Sequence, residues 1–302
     1  MKQILSAILL CNSIAAVACD ACGASAGNQG IGLLPQYRYY AGVQYQFRSF
    51  NTIHEAESKY ESTTSSHEEY RTIQAYGRFS VGERVMLFAF VPYMANTRIG
   101  VADSNRYSGI GDASLLANVA VIRPKSCTVF SHMLLAGAGV KLPTGKRKIV
   151  NTETGDRLLN VQPGTGSWDM MLSTNYTLSY RQMGINAELF YTITTPNKQA
   201  YKYGNRLSCS MLYFYRLRKN DWSFVPQSGV RYEYALHDYD DYSRKWLNEE
   251  TGGSILYGTI GVQAFYKHVG AQLGYYVPLS QHYAQGNVTA LYRFDAGILI
   301  LL

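Results

Sequence analysis

Beyond its first eighteen residues the chain contains no run of about 18 uncharged apolar residues, the minimum for a helix that crosses a bilayer, so it is not a helical transporter. Charge is also scarce. Only 16% of the 302 residues are Asp, Glu, Lys or Arg, while 13% are aromatic, and a disordered chain has the opposite balance. The zinc-protease signature HExxH is missing as well. The stretch Gly139-Val140-Lys141-Leu142-Pro143-Thr144-Gly145-Lys146 superficially resembles a phosphate loop. It has five residues between its glycines where that motif allows four, and Arg147 follows where Ser or Thr is required. No His follows Cys22, which removes the haem-attachment motif. Residues 19–33 are too few for a TonB-type plug domain ahead of the first expected strand.

What is abundant is tyrosine, with 26 residues. Composition therefore leaves two readings, a Tyr-rich soluble β-protein and a transmembrane β-barrel. The N-terminus favours export. Lys2 is a short positive region, Ile4 to Val17 is apolar apart from Ser6, Asn12 and Ser13, and Ala16-Val17-Ala18 places small residues at the −3 and −1 positions of a signal-peptidase site. Residues 1–18 are accordingly expected to be a signal peptide and 19–33 a short periplasmic segment. Cys19 follows the cleavage site, so it can either be lipidated or pair with Cys22 in a disulfide in an oxidising compartment. Cys127 and Cys209 are isolated and read as small hydrophobes.

Periodicity separates the two β readings. From Pro35, alternate residues Tyr37, Tyr39, Ala41, Val43, Tyr45 and Phe47 are apolar or aromatic, whereas Gln36, Arg38, Gln44, Gln46 and Arg48 between them are polar, the two-residue repeat of a strand with unlike faces. The scheme recurs along the chain, although Val85 to Tyr93 and much of Phe130 to Leu142 are apolar on both faces and imply a locally apolar lumen. It predicts about twelve strands at 34–50, 70–80, 84–97, 110–123, 127–142, 167–181, 185–197, 204–218, 222–237, 253–267, 269–282 and 286–301. Short turns alternate with mostly longer loops, as in an up-and-down barrel whose turns are periplasmic. Predicted strands of about 12–16 residues exceed the roughly 9–11 that span a bilayer, and soluble sandwich strands are typically about 5–6. The fold class expected is therefore all-β, an up-and-down antiparallel transmembrane barrel over residues 34–302.

If the apolar row faces lipid, the lumen receives Arg38, Arg48, Arg78, Lys141, Arg181, Arg206, Arg216, Arg231 and Arg293 against Asp112, Asp169, Glu188, Glu233 and Asp295. That is nine cations against five anions. Such a wall either pairs its charges or selects anionic and polarisable solutes. The acids concentrate elsewhere, in the expected loops 51–69, 98–109, 143–166 and 238–252. Asp238, Asp240, Asp241, Glu249 and Glu250 have oxygen ligands suited to Ca²⁺ but lack the rhythm of an EF-hand, and a solvated loop is the preferred reading. Neither metal nor cofactor is expected. The loop 143–166 is the candidate plug or gate, because long loops are commonly functional. Ser131 and His132 are adjacent and point to opposite faces of a strand, so they cannot act together as nucleophile and base, and no enzymatic role is expected.

Three segments in order, Gly109-Ile110-Gly111-Asp112-Ala113-Ser114-Leu115, Gly139 to Gly145, and Gln162-Pro163-Gly164-Thr165-Gly166-Ser167, resemble landmarks of the outer-membrane β-barrel transporter family of the MetA-pathway of phenol degradation. The resemblance covers roughly residues 30 to 302 and implies a barrel that passes small hydrophobic or aromatic compounds. The CxxC start is similar to that of members from the Bacteroidetes. Barrels of this kind commonly end in Phe or Trp. Here Gly297-Ile298-Leu299-Ile300-Leu301-Leu302 keeps the spacing of a C-terminal assembly signal with aliphatic residues instead, so the barrel assembly machinery is an expected partner during biogenesis, together with outer-membrane lipid but not nucleic acid. Read from the residues alone, Asp112 needs a cationic partner, and Lys141 on the next strand is the candidate. The expected function is a bacterial outer-membrane channel for small solutes by passive diffusion. The rival is a closed-lumen structural or interaction barrel serving adhesion or envelope integrity.

Overall fold

A computed structural model describes residues 39–54, 63–101, 104–124, 129–147, 161–240, 244–248 and 251–302. The signal-peptide segment, Cys19, Cys22, Arg38 and Cys127 lie outside these residues. Twelve antiparallel staves form one closed barrel: β1 (Tyr40–His54), β2 (Thr64–Val81), β3 (Val85–Gly100), β4 (Ser104–Ile110 continuing as Ser114–Ile122), β5 (Phe130–Lys141), β6 (Asp169–Tyr180), β7 (Met183–Ile193), β8 (Arg206–Tyr215 continuing as Leu217–Lys219), β9 (Trp222–Ala235), β10 (Gly253–Tyr266), β11 (Val269–Tyr283) and β12 (Val288–Leu301). Each pairs with its sequence neighbours, and β12 pairs back onto β1 from Tyr40↔Leu301 to Thr52↔Val288. Among the described residues the barrel ladder itself has no open edge stave to recruit another chain.

The alternation sorts side chains to opposite sides of this wall. Val43, Ile260, Leu273 and Ile298 are exposed on the outer surface, whereas Gln44, Gln46, Arg48, Gln74, Asn118, Asn175, Gln263 and Arg293 are buried inside. This is the inverse of a soluble domain and the arrangement of a barrel in lipid. Tyrosine divides between the faces. Tyr93, Tyr213, Tyr234 and Tyr275 are exposed outside, but Tyr40, Tyr70, Tyr257, Tyr276 and Tyr283 are buried.

The staves on the N-terminal side are longer than the periodicity predicts. Residues 64–69 belong to β2 and 104–109 to β4, not to the expected loops 51–69 and 98–109. Both segments carry polar residues on both rows, so an apolar stripe could not reveal them. One turn falls slightly earlier than expected. β6 and β7 are joined by Arg181–Gln182 rather than by Gln182–Gly184, with Arg181 in the left-handed region at φ 52°. Arg181 is therefore exposed in a turn, stacked on the Tyr180 ring, and does not face the lumen as its parity suggests.

The doubly apolar segments acquire a reason. Phe88 and Phe90 of β3 enter a lumenal cluster with Tyr40, Leu116, Phe214, Val225, Phe265, Leu299 and Leu301, near the end where the short turns and both β1 and β12 termini lie. Met133 and Leu135 of β5 pack inward with Ala120. Beside them Gly137 leaves room for Asn118, since a Cβ there would lie 1.8 Å from its Oδ1. Gly137→Val would force this ladder apart.

A closed ladder of this kind predicts heat-modifiable migration. Unboiled protein should run on a denaturing gel at a position different from boiled protein, and a single position under both conditions would contradict a closed barrel.

Candidate functional site: a polar lumen and its clamped mouth

The three sequence landmarks meet at the mouth opposite the short turns. The β4 stave breaks at residues 111–113, and the break turns Asp112 inward, 9% exposed. One carboxylate oxygen accepts from the Gly145 amide at 2.9 Å, and the other accepts from the Thr165 amide at 2.9 Å and its hydroxyl at 2.6 Å. Lys141 sits 3.4 Å from Asp112, donates to the Thr165 hydroxyl at 2.7 Å and also pairs with Asp169 on the neighbouring stave. A charged carboxylate ringed by donors is satisfied more strongly than a neutral acceptor would be. Gly145 and Gly164 touch backbone to backbone, so a Cβ on either would fall within 2.6 Å of the other.

These bonds fasten the described ends of the 143–166 loop to the barrel wall. Past the clamp the chain bends into the mouth, where Val161 and Gln162 are buried and the Val161 carbonyl accepts from Asn96 of β3 at 2.8 Å. Residues 148–160 lie outside the described residues. Beside this rim Glu68, 1% exposed, accepts from Tyr70 at 2.7 Å and lies 3.9 Å from Arg98. Sequence reasoning left Glu68 in a loop, although two-residue spacing to Tyr70 and Ser66 could have placed it.

The outer loops fold as well. Tyr201–Lys202, Tyr239–Asp240 and Lys245–Trp246 form a small sheet. Asp238 is buried and accepts from the Gly204 amide at 2.6 Å and from the Tyr201 hydroxyl. Asp238 and Asp240 are therefore structural, not members of a solvated loop. Asp241, Glu249 and Glu250 lie outside the described residues.

Mid-lumen, the inward charges come together. Arg48 stands directly opposite Arg293 in the β1–β12 register, an arrangement that costs energy unless acids intervene. Asp295 pairs with Arg293 at 3.0 Å, and Glu233, three staves away on β9, accepts from Arg293 at 3.2 Å and from Arg231 at 2.7 Å. This bond is a chord across part of the lumen. Arg293 also covers the Tyr276 ring at 4.7 Å and is 1% exposed.

A second row runs along the register Asn175, Glu188, Ser210, Arg231 and Tyr257 on β6 to β10. Asn175 donates to Glu188 at 2.7 Å and accepts from Asn186 at 3.1 Å, and Asn186 donates to Thr177 at 2.8 Å. Two water-sized cavities of about 30 and 20 Å³ adjoin this row, and Glu188, Ser210 and Arg231 line both. The amides were missed because they carry no charge, though their parity was available.

The remaining predicted residues are apart from this centre. Arg206 is buried toward the mouth. Arg78 and Arg216 lie toward the short-turn end, over the rings of Tyr40 at 5.1 Å and Phe214 at 4.8 Å respectively.

No protein-family model matches the chain, and no curated protein matches it significantly. Among solved structures it is similar to the COG4313 outer membrane channel from Pseudomonas putida F1, with a TM-score of 0.67 and 13% identity over 89% of this chain and 97% of that one. The β domain of the Bordetella autotransporter Brka follows with a TM-score of 0.49 and 10% identity, over 87% of this chain and 99% of that domain. At such identities the first likeness establishes the shared barrel fold.

Two outcomes follow from this geometry. Glu233→Ala leaves Arg231 and Arg293 without their shared acceptor and should cost about 3–5 kcal/mol, the usual penalty for breaking a buried pair. Urea unfolding in detergent measures it, and an unchanged midpoint would mean that Glu233 does not neutralise them. Asp112→Ala should make the described loop ends 142–147 and 161–167 more sensitive to limited proteolysis while the barrel remains heat-modifiable. Unaltered resistance would show that the loop is held by other contacts.

Proposed function

We propose that this protein is a bacterial outer-membrane barrel that admits small solutes by passive diffusion. The observation that carries the reading is the inverted distribution of side chains, an apolar outer belt around a closed ladder with a charged and amide-rich interior. A fold shared with an outer membrane channel supports it. In this reading the chain is exported through the signal peptide at 1–18, is inserted by the barrel assembly machinery with the aliphatic β12 as its recognition strand, and lies in outer-membrane lipid. Cys19 and Cys22 then remain in the periplasm, lipidated or paired.

Selection would arise at the inward charges. Mid-lumen, Arg48, Arg231 and Arg293 are matched by Glu188, Glu233 and Asp295, and the excess of cations comes from Arg206 toward the mouth and from Arg78 and Arg216 toward the short turns. Fixed charges at close quarters favour counter-ions, so hydrophobic, aromatic or anionic small molecules are the solute classes that suit it. The expected gate, the loop 143–166, is described only at its ends, which are fixed to the wall at Asp112 and Lys141.

A second reading, a barrel with a closed lumen that serves envelope integrity or adhesion, draws on one observation. The Glu233–Arg293 chord and the apolar cluster around Phe88 and Phe214 both occupy the interior.

Planar-bilayer recording separates the two. Purified folded protein should give discrete current steps with anion preference, and Arg206→Ser combined with Arg231→Ser should shift the reversal potential toward cations. Absence of any current would promote the closed barrel, and an unchanged reversal potential would mean that these arginines are fully neutralised by their partners.

A further inference from the structure

Most inward cations of the described lumen have an acid or a hydrogen-bonding group beside them. Lys141 has Asp112 and Asp169, Arg98 has Glu68, and Arg231 and Arg293 share Glu233. Arg78 does not. It is 4% exposed, makes no ion pair or hydrogen bond within the described residues, and its buried Nε has no acceptor. Its contact is the face of Tyr40, 5.1 Å from the guanidinium carbon.

The register makes its isolation sharper. Arg78 is the one polar residue in an inward row that runs Leu301, Tyr40, Arg78, Phe88 and Leu116 across β12, β1, β2, β3 and β4. The other four belong to the apolar cluster at the short-turn end. A guanidinium cannot shed its charge, and burial of an unpaired charge among apolar groups is costly. Two residues along the same face Tyr76 packs over Gly42, which lacks the Cβ that would collide with its ring, and the Tyr76 hydroxyl is also buried without a partner. Two unanswered donors therefore face the lumen on a wall of aromatic and aliphatic side chains.

We propose that Arg78 and Tyr76 form a lumenal binding site for a carboxylate that carries an apolar body, with the carboxylate on the guanidinium and hydroxyl and the body against Tyr40, Phe88 and Phe90. The planar fork of Arg matches a carboxylate, and the cation–π stack on Tyr40 holds it in place. A lone positive charge answers a singly charged ligand, and the apolar row disfavours a small, strongly hydrated anion such as phosphate. This deepens the channel reading by naming a class of solute, and rests on it for how the ligand reaches the lumen.

Calorimetric titration of the detergent-folded, full-length protein tests the site without requiring conduction. Benzoate should bind, while benzamide, its neutral analogue, and inorganic phosphate should bind roughly tenfold or more weakly, as expected for loss of a charge-assisted bond. Arg78→Gln should weaken benzoate by a similar factor, Tyr76→Phe by less, and Arg181→Gln in the exposed turn should have no effect. Because an unpaired buried cation destabilises, Arg78→Gln should fold with an equal or higher melting temperature, whereas a purely structural arginine would lower it and leave benzoate binding intact. Equal binding of benzoate and benzamide to the unaltered protein, or stronger binding of phosphate, overturns the proposal even if a variant fails to fold. Benzoate binding in a protein that passes no current would retain the site and reject the channel.

Discussion

Pairing of the first stave with the last governs everything else in this structure. A surface as apolar as the belt formed by Val43, Leu273 and Ile298 is stable only in lipid, and lipid offers no partner to an unpaired peptide group. The β1–β12 ladder removes the two edges that would otherwise remain. Closure in turn forces one row of every stave inward, where its charges stand close to one another. The lumen must therefore answer its own polar groups, and the network of arginines, acids and amides follows from that requirement.

How it does so differs with height. At the mouth Asp112 receives three hydrogen bonds and a lysine, and those bonds turn a loop into part of the wall. At mid-height two arginines face each other across one register position, and Glu233 and Asp295 make that arrangement tolerable. At the short-turn end the answer is mostly apolar packing, with Phe88, Phe214 and Leu299 filling space that polar groups could not. The conduction reading and the closed-barrel reading differ in which of these layers yields to a solute.

Several ladder defects flank β12. Between Tyr276↔Arg293 and Tyr283↔Val288 the β11–β12 register shifts, and the side chain of Gln281 bonds both the amide and the carbonyl of Ala290 at 2.8 and 3.3 Å. Pro278, which has no amide hydrogen, lies within this stretch. On the other side of β12 the register shifts again beside Phe50. These irregularities bend β12 close to Arg293 and its partners.

The alternation of Gln44, Gln46 and Arg48 with Val43 and Tyr45 was enough to determine strand, inward face and barrel class, because a two-residue repeat has only one geometric meaning over so many residues. Landmarks around Asp112, Gly145 and Thr165 were visible as segments, and Lys141 could be matched to Asp112 by adjacent staves. Their convergence was not legible, since the contacts join residues up to 53 positions apart through loop backbone that has no periodicity. Arg181 was misplaced for a related reason: parity holds along a strand and ends at the turn, whose position depends on pairing. Glu68 escaped because the outer ends of β1 to β4 no longer carry an apolar stripe. Parity also treats all inward arginines alike. Only the closed barrel decides that Arg293 meets Glu233 while Arg78 stands in an apolar row, because a charge's partner is set by what lies across the lumen and not by its neighbours in the chain.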